Sequence, residues 1–137
     1  MAPSPGEVEV GTTVPSQTFT IRRADLVRYA GASGDFNPIH WSDRVATAVG
    51  LPGVIAHGMY TMALAARAVA TWTDGAEVVE LGCKFTNPVP VPDDDTGVDV
   101  VVAGTVKSVE DGLVTIALEV TCEGAKVLGM PKAVVRA

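Results

Sequence analysis

Residues 33–40 read Ser-Gly-Asp-Phe-Asn-Pro-Ile-His, which sets a carboxylate, Asp35, five positions before an imidazole, His40, across an Asn-Pro turn. Asp35 offers a charged acceptor, and His40 is the side-chain type whose ordinary pKa lies near neutrality. Together they can hold one water and move protons to and from it. Gly, Asp, Asn and Pro are also the common turn residues, so the segment taken alone also reads as a tight loop. Its flanks favour chemistry. Leu26, Val27, Tyr29 and Ala30 before it look like the apolar face of a short helix, and Ile39 and Trp41 after it are expected to bury its exit. An Asp and a His buried in this way need partners or a purpose.

Rival chemistries lack their motifs. Gly31-Ala32-Ser33-Gly34-Asp35 superficially resembles a nucleophile elbow, but Asp35 stands where Gly-x-Ser-x-Gly needs its last glycine. No Gly-x-Gly-x-x-Gly or phosphate-binding P-loop occurs. Cys83 and Cys122 are isolated, and with His40 and His57 as the two imidazoles they make no recognisable zinc set. Both cysteines read as small core hydrophobes. The expectation is chemistry without a metal or a cofactor.

The elements that position the loop follow from patterning. The chain has 137 residues, 47% of them apolar, one domain's worth with a sizeable core. A net charge of −6 with dispersed basic residues is a poor footprint for nucleic acid, although Arg22, Arg23, Arg28, Lys84 or Lys132 can still form a local patch for a phosphate-bearing substrate. The longest apolar stretch, Gly58 to Ala70, is too short to span a membrane and contains Arg67, and the N-terminus lacks the basic and apolar regions of a secretory signal. A cytoplasmic protein without a membrane span is expected.

Residues 1–15 read as an extended arm, and Gln17 to Ile21 as a strand. A helix follows from Arg22, with Gly31 and Gly34 ending it; a second runs from the cap candidate Ser42 to about Val49. His57 to Trp72 is the strongest helix. It is apolar nearly all round and so is expected to be buried nearly all round. Beyond Gly75 the pattern has period two, with Val79 to Phe85, Val100 to Val106, Val114 to Val120 and a fourth strand over Lys126 to Arg136. Glu110-Asp111-Gly112 and Glu123-Gly124 suit hairpins, and Pro88 to Gly97 reads as a surface excursion. The sum is an α+β architecture, an antiparallel sheet wrapped around a central buried helix, whose edge strand is expected to pair with another subunit.

Two segments carry a family resemblance. Tyr29 to His40, through Gly34-Asp35-Phe36-Asn37-Pro38-Ile39-His40, resembles the hydratase motif of the MaoC-like dehydratases and (R)-specific enoyl-CoA hydratases of the hot dog fold. Ile55-Ala56-His57-Gly58-Met59 is similar to that family's entry into its central helix. Within the family the chain looks most like the catalytic B subunits of mycobacterial-type (3R)-hydroxyacyl-acyl-carrier-protein dehydratases, a resemblance that extends through Lys84-Phe85-Thr86 and Pro88 to Pro92. Pro92-Asp93-Asp94-Asp95 departs from the family, many of whose members have Gly-Asp there.

The resemblance implies a single hot dog domain over 1–137 that adds or removes water at an acyl-CoA or acyl-carrier-protein thioester. It also implies a homodimer, or a heterodimer with another hot dog subunit. Asp35 and His40 are then the acid–base pair, and the backbone N–H of Gly58, at the start of a buried helix, is the oxyanion donor. Asn37 is expected to brace the loop or the Asp35 carboxylate. His57 reads equally as a wall of the substrate tunnel and as a helix-terminal histidine bonded to nearby backbone, and it is left out of the catalytic set. Two alternatives stand beside this reading: a subunit that mainly supplies binding surface to a partner, and a thioesterase on the same fold.

Overall fold

The period-two valines of the second half of the chain build one antiparallel sheet, because alternate side chains of a strand share a face and only one face needs burying. The computed structural model describes residues 8–136. Its strands are β1 (Thr13–Ile21), β2 (Val78–Phe85), β3 (Val98–Glu110), β4 (Leu113–Cys122), β5 (Ala125–Lys126) and β6 (Leu128–Arg136). They lie in the order β1-β3-β4-β6-β2, with the short β5 pairing β4. The β3–β4 turn places Asp111 and Gly112 at φ of 53° and 75°, and the β4–β5 turn places Glu123 and Gly124 at 50° and 81°. Two consecutive positive-φ residues are what a two-residue hairpin with right-twisted strands requires.

The helices are α1 (Arg23–Ser33), α2 (Asp43–Ala48) and α3 (Gly58–Trp72), with a 3₁₀ turn over Pro38–His40. Leu64, Ala65, Ala68, Val69 and Trp72 of α3 are buried in one core cluster with Val100, Val102, Val106, Val114 and Ile116 of the sheet. The sheet yields room for the largest of them at Gly104, where a Cβ would stand 3.3 Å from Cζ3 of Trp72 and 3.1 Å from Ile116 and Val14. The Trp72 indole donates to the Pro15 carbonyl at 2.7 Å, and the Gln17 amide donates to the Ala68 carbonyl at 3.0 Å, so β1 is laced to α3. Truncating Trp72 to Ala would cost about 3–5 kcal/mol. This is the expected hot dog arrangement of a sheet around a helix.

Four expectations need adjustment. The strand expected from Gln17 begins at Thr13, so the end of the expected 1–15 arm belongs to β1; residues 1–7 of that arm lie outside the described residues. Gly31 sits inside α1, and Gly34 alone ends it, with φ +78° and its N–H on the Ala30 carbonyl. Helix α3 is not buried all round: Met59, Ala63, Arg67, Ala70 and Thr71 are exposed, because one sheet covers one side of a helix. The segment from Pro88 is not wholly a surface excursion either. Val89 and Val91 are each 2% exposed, the Val89 carbonyl accepts from Ala56 N–H at 2.9 Å, and Val91 N–H donates to the Val54 carbonyl at 3.0 Å. Proline alternates with these valines at positions that do not need a donor, so the Val-Pro repeat can pair as an edge. No helix among the described residues is long and apolar enough to cross a membrane.

Candidate active site

The Ser33–His40 loop is built by its own side chains. Ser33 Oγ accepts from the Asp35 N–H at 3.1 Å, Asp35 Oδ1 from the Asn37 N–H at 3.1 Å, and Asn37 Oδ1 from the Ile39 N–H at 3.2 Å. Each polar residue thus bonds the amide two positions on, the local turn for which Ser, Asp and Asn are suited. Pro38 then opens the 3₁₀ turn with its fixed φ and no N–H to satisfy. The backbone N–H of Asn37 holds the Asp35 carboxylate, while its side chain caps the turn.

Ile55 holds the end of this turn through both of its backbone groups, one on Ile39 and one on His40. The Ile55 N–H donates to the Ile39 carbonyl at 3.1 Å, and the Ile55 carbonyl lies 2.7 Å from His40 Nδ1. A carbonyl only accepts, so Nδ1 carries the hydrogen and Nε2 presents a lone pair. That Nε2 stands 3.9 Å from Asp35 Oδ2, the carboxylate oxygen that the loop leaves unused. The expectation of two buried groups holds for one of them: the His40 side chain is 8% exposed and that of Asp35 is 52% exposed. Trp41, expected to bury the loop's exit, is 57% exposed and donates its indole N–H to the Phe36 carbonyl at 2.9 Å.

Two salt-bridged residues anchor the surroundings. Arg23 donates to the Val91 carbonyl at 2.6 Å and to both oxygens of Asp43, whose Oδ1 also accepts the Val54 N–H at 2.9 Å. The Val54 amide and then the Arg23 guanidinium hold the Asp43 carboxyl below its ordinary value. Of the other basic residues considered for a phosphate, Arg28 pairs with Asp25, Lys132 with Glu80, and Arg22 donates to the Asp95 carbonyl.

Helix α3 points its N-terminus at the same place. Tyr60 and Thr61 N–H turn back to the His57 carbonyl, and no side chain caps the helix, so the first amides lack an intrahelical acceptor. Gly58 lies against the Phe85 ring, where a Cβ would come within 2.9 Å of Phe85 Cε1. Phe85 is 56% exposed. Asp35, His40, His57, Gly58, Phe85 and Val89 all line one cleft of about 490 Å³. Phe85 and the Ile55 carbonyl are parts of this site that the sequence did not announce: the first reads as an ordinary strand residue, and the second is a backbone atom.

His57 is the N-cap residue of α3. It lines the cleft, and its Nε2 lies 3.2 Å from the Asp35 carbonyl. Burial outweighs that bond and lowers its pKa. The donor atoms of Asp35, His40 and His57 fall within 4.8 Å of one another, a separation that a metal ion can bridge. The ring planes argue otherwise. His40 and His57 stack with centroids 3.8 Å apart and planes at 21°, so their in-plane lone pairs do not converge on one point as metal ligation requires. Both cysteines are free, Cys122 buried and Cys83 partly so, with burial raising each thiol's pKa.

Residues 7–124 match the family model described as MaoC like domain. The 3-hydroxyacyl-thioester dehydratase X of Mycobacterium tuberculosis is 39% identical over 79 residues, which are 57% of this chain and 27% of that protein. A solved MaoC-like dehydratase superposes with a TM-score of 0.92 at 36% identity, over 98% of this chain and 42% of its own. An R-hydratase from Pseudomonas aeruginosa superposes with a TM-score of 0.83 at 29% identity, over 97% of this chain and 84% of its own. The chain therefore spans about a quarter of the curated relative and under half of the first of these structures.

Proposed function

Because this chain belongs to the MaoC-like domain family, we propose that it interconverts trans-2-enoyl and (3R)-3-hydroxyacyl thioesters, with Asp35 and His40 handling the water. The observation that carries the reading is the pair of unused acceptors at the cleft, Asp35 Oδ2 and His40 Nε2, 3.9 Å apart. One water can donate its two hydrogens to them, which leaves its oxygen lone pairs free for C3 of the enoyl chain.

In hydration, the dyad takes one proton from that water while the remaining hydroxyl bonds to C3. The C2–C3 electron pair shifts toward the thioester, and negative charge gathers on its oxygen. The uncapped amides at the start of α3, Gly58 first, stabilise that charge, aided by the positive end of the helix dipole. The dyad then delivers the proton to C2. Dehydration retraces the path. Acid–base assistance of this kind is worth about 10²- to 10⁴-fold. The names of the two most informative relatives, a 3-hydroxyacyl-thioester dehydratase and an R-hydratase, support this reaction class.

A second subunit completes the reading. Strand β2 ends the sheet with an open edge, and Val78, Val79 and Phe85 on it are exposed. The side of α3 that carries Met59, Ala63, Arg67, Ala70 and Thr71 is exposed as well. A second copy, or a different hot dog subunit, pairing along β2 would cover both.

The test is an assay of the purified chain, alone and with candidate hot dog partners, on a series of trans-2-enoyl-CoA thioesters with chiral analysis of product. Formation of (3R)-hydroxyacyl thioester is expected. Activity that appears only after mixing identifies the chain as one subunit of a heterodimer. Release of free CoA without a hydroxyacyl product would make it a thioesterase and sink the proposal.

A further inference from the structure

The least explained group in the cleft is His57. It is 1% exposed, its Nδ1 is buried with no hydrogen-bond partner, and no step of the proposed reaction uses it. We infer that His57 is a positioning residue for both members of the dyad, holding the Asp35 main chain through Nε2–H and the His40 ring through its face. The inference rests on the reading of Asp35 and His40 as the water-handling pair.

Two contacts carry it. The Asp35 carbonyl can only accept, so His57 Nε2, 3.2 Å away, is the protonated nitrogen and Nδ1 the bare one. On one face the ring stacks against His40 at 3.8 Å, and Tyr29 of α1 lies tilted against it at 4.7 Å, with Tyr60 stacked behind Tyr29 at 5.1 Å. The catalytic imidazole is thus held in its plane by His57 and pinned along that plane by the Ile55 carbonyl. As N-cap of α3, His57 also ties this arrangement to the helix whose first amide is Gly58.

The titratable groups facing His57 are Asp35 and His40 from the loop and Tyr29 from α1, with Tyr60 beyond. Protonating His57 would bury a second N–H without an acceptor and put a cation against His40, opposing the charge that His40 must accept in turnover. A neutral ring does neither, and its π face tolerates an imidazolium beside it. Burial lowering the pKa of His57 agrees with a group built to stay neutral.

Two substitutions separate the two contacts. His57→Phe keeps a ring face and loses the donor; His57→Gln keeps an N–H and loses the face. In each, kcat on an enoyl thioester should fall by about 10- to 100-fold with KM nearly unchanged, since small misplacement of catalytic groups is what such losses reflect. Imidazole ¹⁵N NMR gives a reading independent of turnover. In the wild-type protein His57 should remain the neutral Nε2–H tautomer across the range in which His40 titrates, and both variants should move the His40 titration.

If His57 titrates together with His40 in the wild-type protein, or if His57→Phe keeps wild-type kcat and an unchanged His40 titration, the inference is overturned. Titration of His57 in the wild-type spectra would overturn the inference even if both variants fail to fold. A wild-type protein without hydratase activity would instead defeat the proposed reaction, and the NMR would still judge His57.

Discussion

Asp35 Oδ2 and His40 Nε2 stand 3.9 Å apart, too far to bond each other and close enough to accept both hydrogens of one water. The geometry follows from two separate restraints: the Asn37 amide occupies the other Asp35 oxygen, and the Ile55 carbonyl occupies the other His40 nitrogen. Each group is left one way to face, and both face the cleft.

Replacing Asp35→Asn should reduce enoyl-thioester hydration by about 10²-fold or more, and His40→Ala similarly. The double variant should be little worse than either, because groups that act as a unit are not additive. Asparagine keeps an acceptor for the Asn37 amide, so circular dichroism of Asp35→Asn should match the wild type. His40→Ala leaves the Ile55 carbonyl short of a partner and should lose about 1–3 kcal/mol of stability. Near wild-type rates in both single variants would remove the dyad from the mechanism.

Gly58→Ala retains the backbone donor but puts a methyl 2.9 Å from the Phe85 ring, which must move into the cleft mouth or out to solvent. A fall in kcat/KM of about 10-fold is expected from crowding at the helix N-terminus. Adding Phe85→Leu should recover part of it, at little cost in melting temperature, because Phe85 is 56% exposed. No recovery in the double variant would mean that crowding by Phe85 is not the cause.

Asp43 links α2, α1 and the strand-like segment before α3 through one carboxylate, and its pKa lies below the ordinary 3.8. A carboxylate with a depressed folded-state pKa adds stability that is present above its unfolded value and lost as pH falls through the folded one. The wild-type protein should therefore lose melting temperature as pH drops below about 4, and Asp43→Asn should flatten this acid limb while lowering the melting temperature at neutral pH. Identical acid limbs in thermal melts of the two proteins would contradict the assignment.

The uncovered face of α3 and the open edge of β2 predict how association responds to charge. Ala63→Glu and Val79→Lys alter exposed positions and should leave the fold of one chain intact. Sedimentation or light scattering should show a wild-type dimer, or a complex with a hot dog partner, that both substitutions weaken. A chain that remains a monomer at all concentrations and with every candidate partner would contradict the pairing.

Local chemistry made much of this protein legible in the sequence. Ser33, Asp35 and Asn37 each turn the chain by bonding the amide two residues ahead. Gly34 takes a positive φ, and Ser42 caps α2 by accepting from Val45 N–H at 3.2 Å. The alternation in β3 and β4 and the apolar run of α3 likewise announce their elements, since period and capping depend on residues a few positions apart. Composition does not name the partner of a segment. Prolines alternating with Val89 and Val91 hide a paired edge, and an apolar run does not say which side of its helix stays exposed.

What the sequence by itself determined is the turn that carries Asp35 and His40, the helix that begins at Gly58, and the strands that pack against one side of that helix. Tertiary structure alone decided that Ile55, fifteen residues beyond His40, selects the imidazole tautomer, that Phe85 closes over Gly58, and that His57 lies flat on His40. These contacts join segments that are distant in the chain, and no local periodicity encodes them. They exist because the sheet folds around α3 and brings the loop, the helix N-terminus and the end of β2 to one cleft.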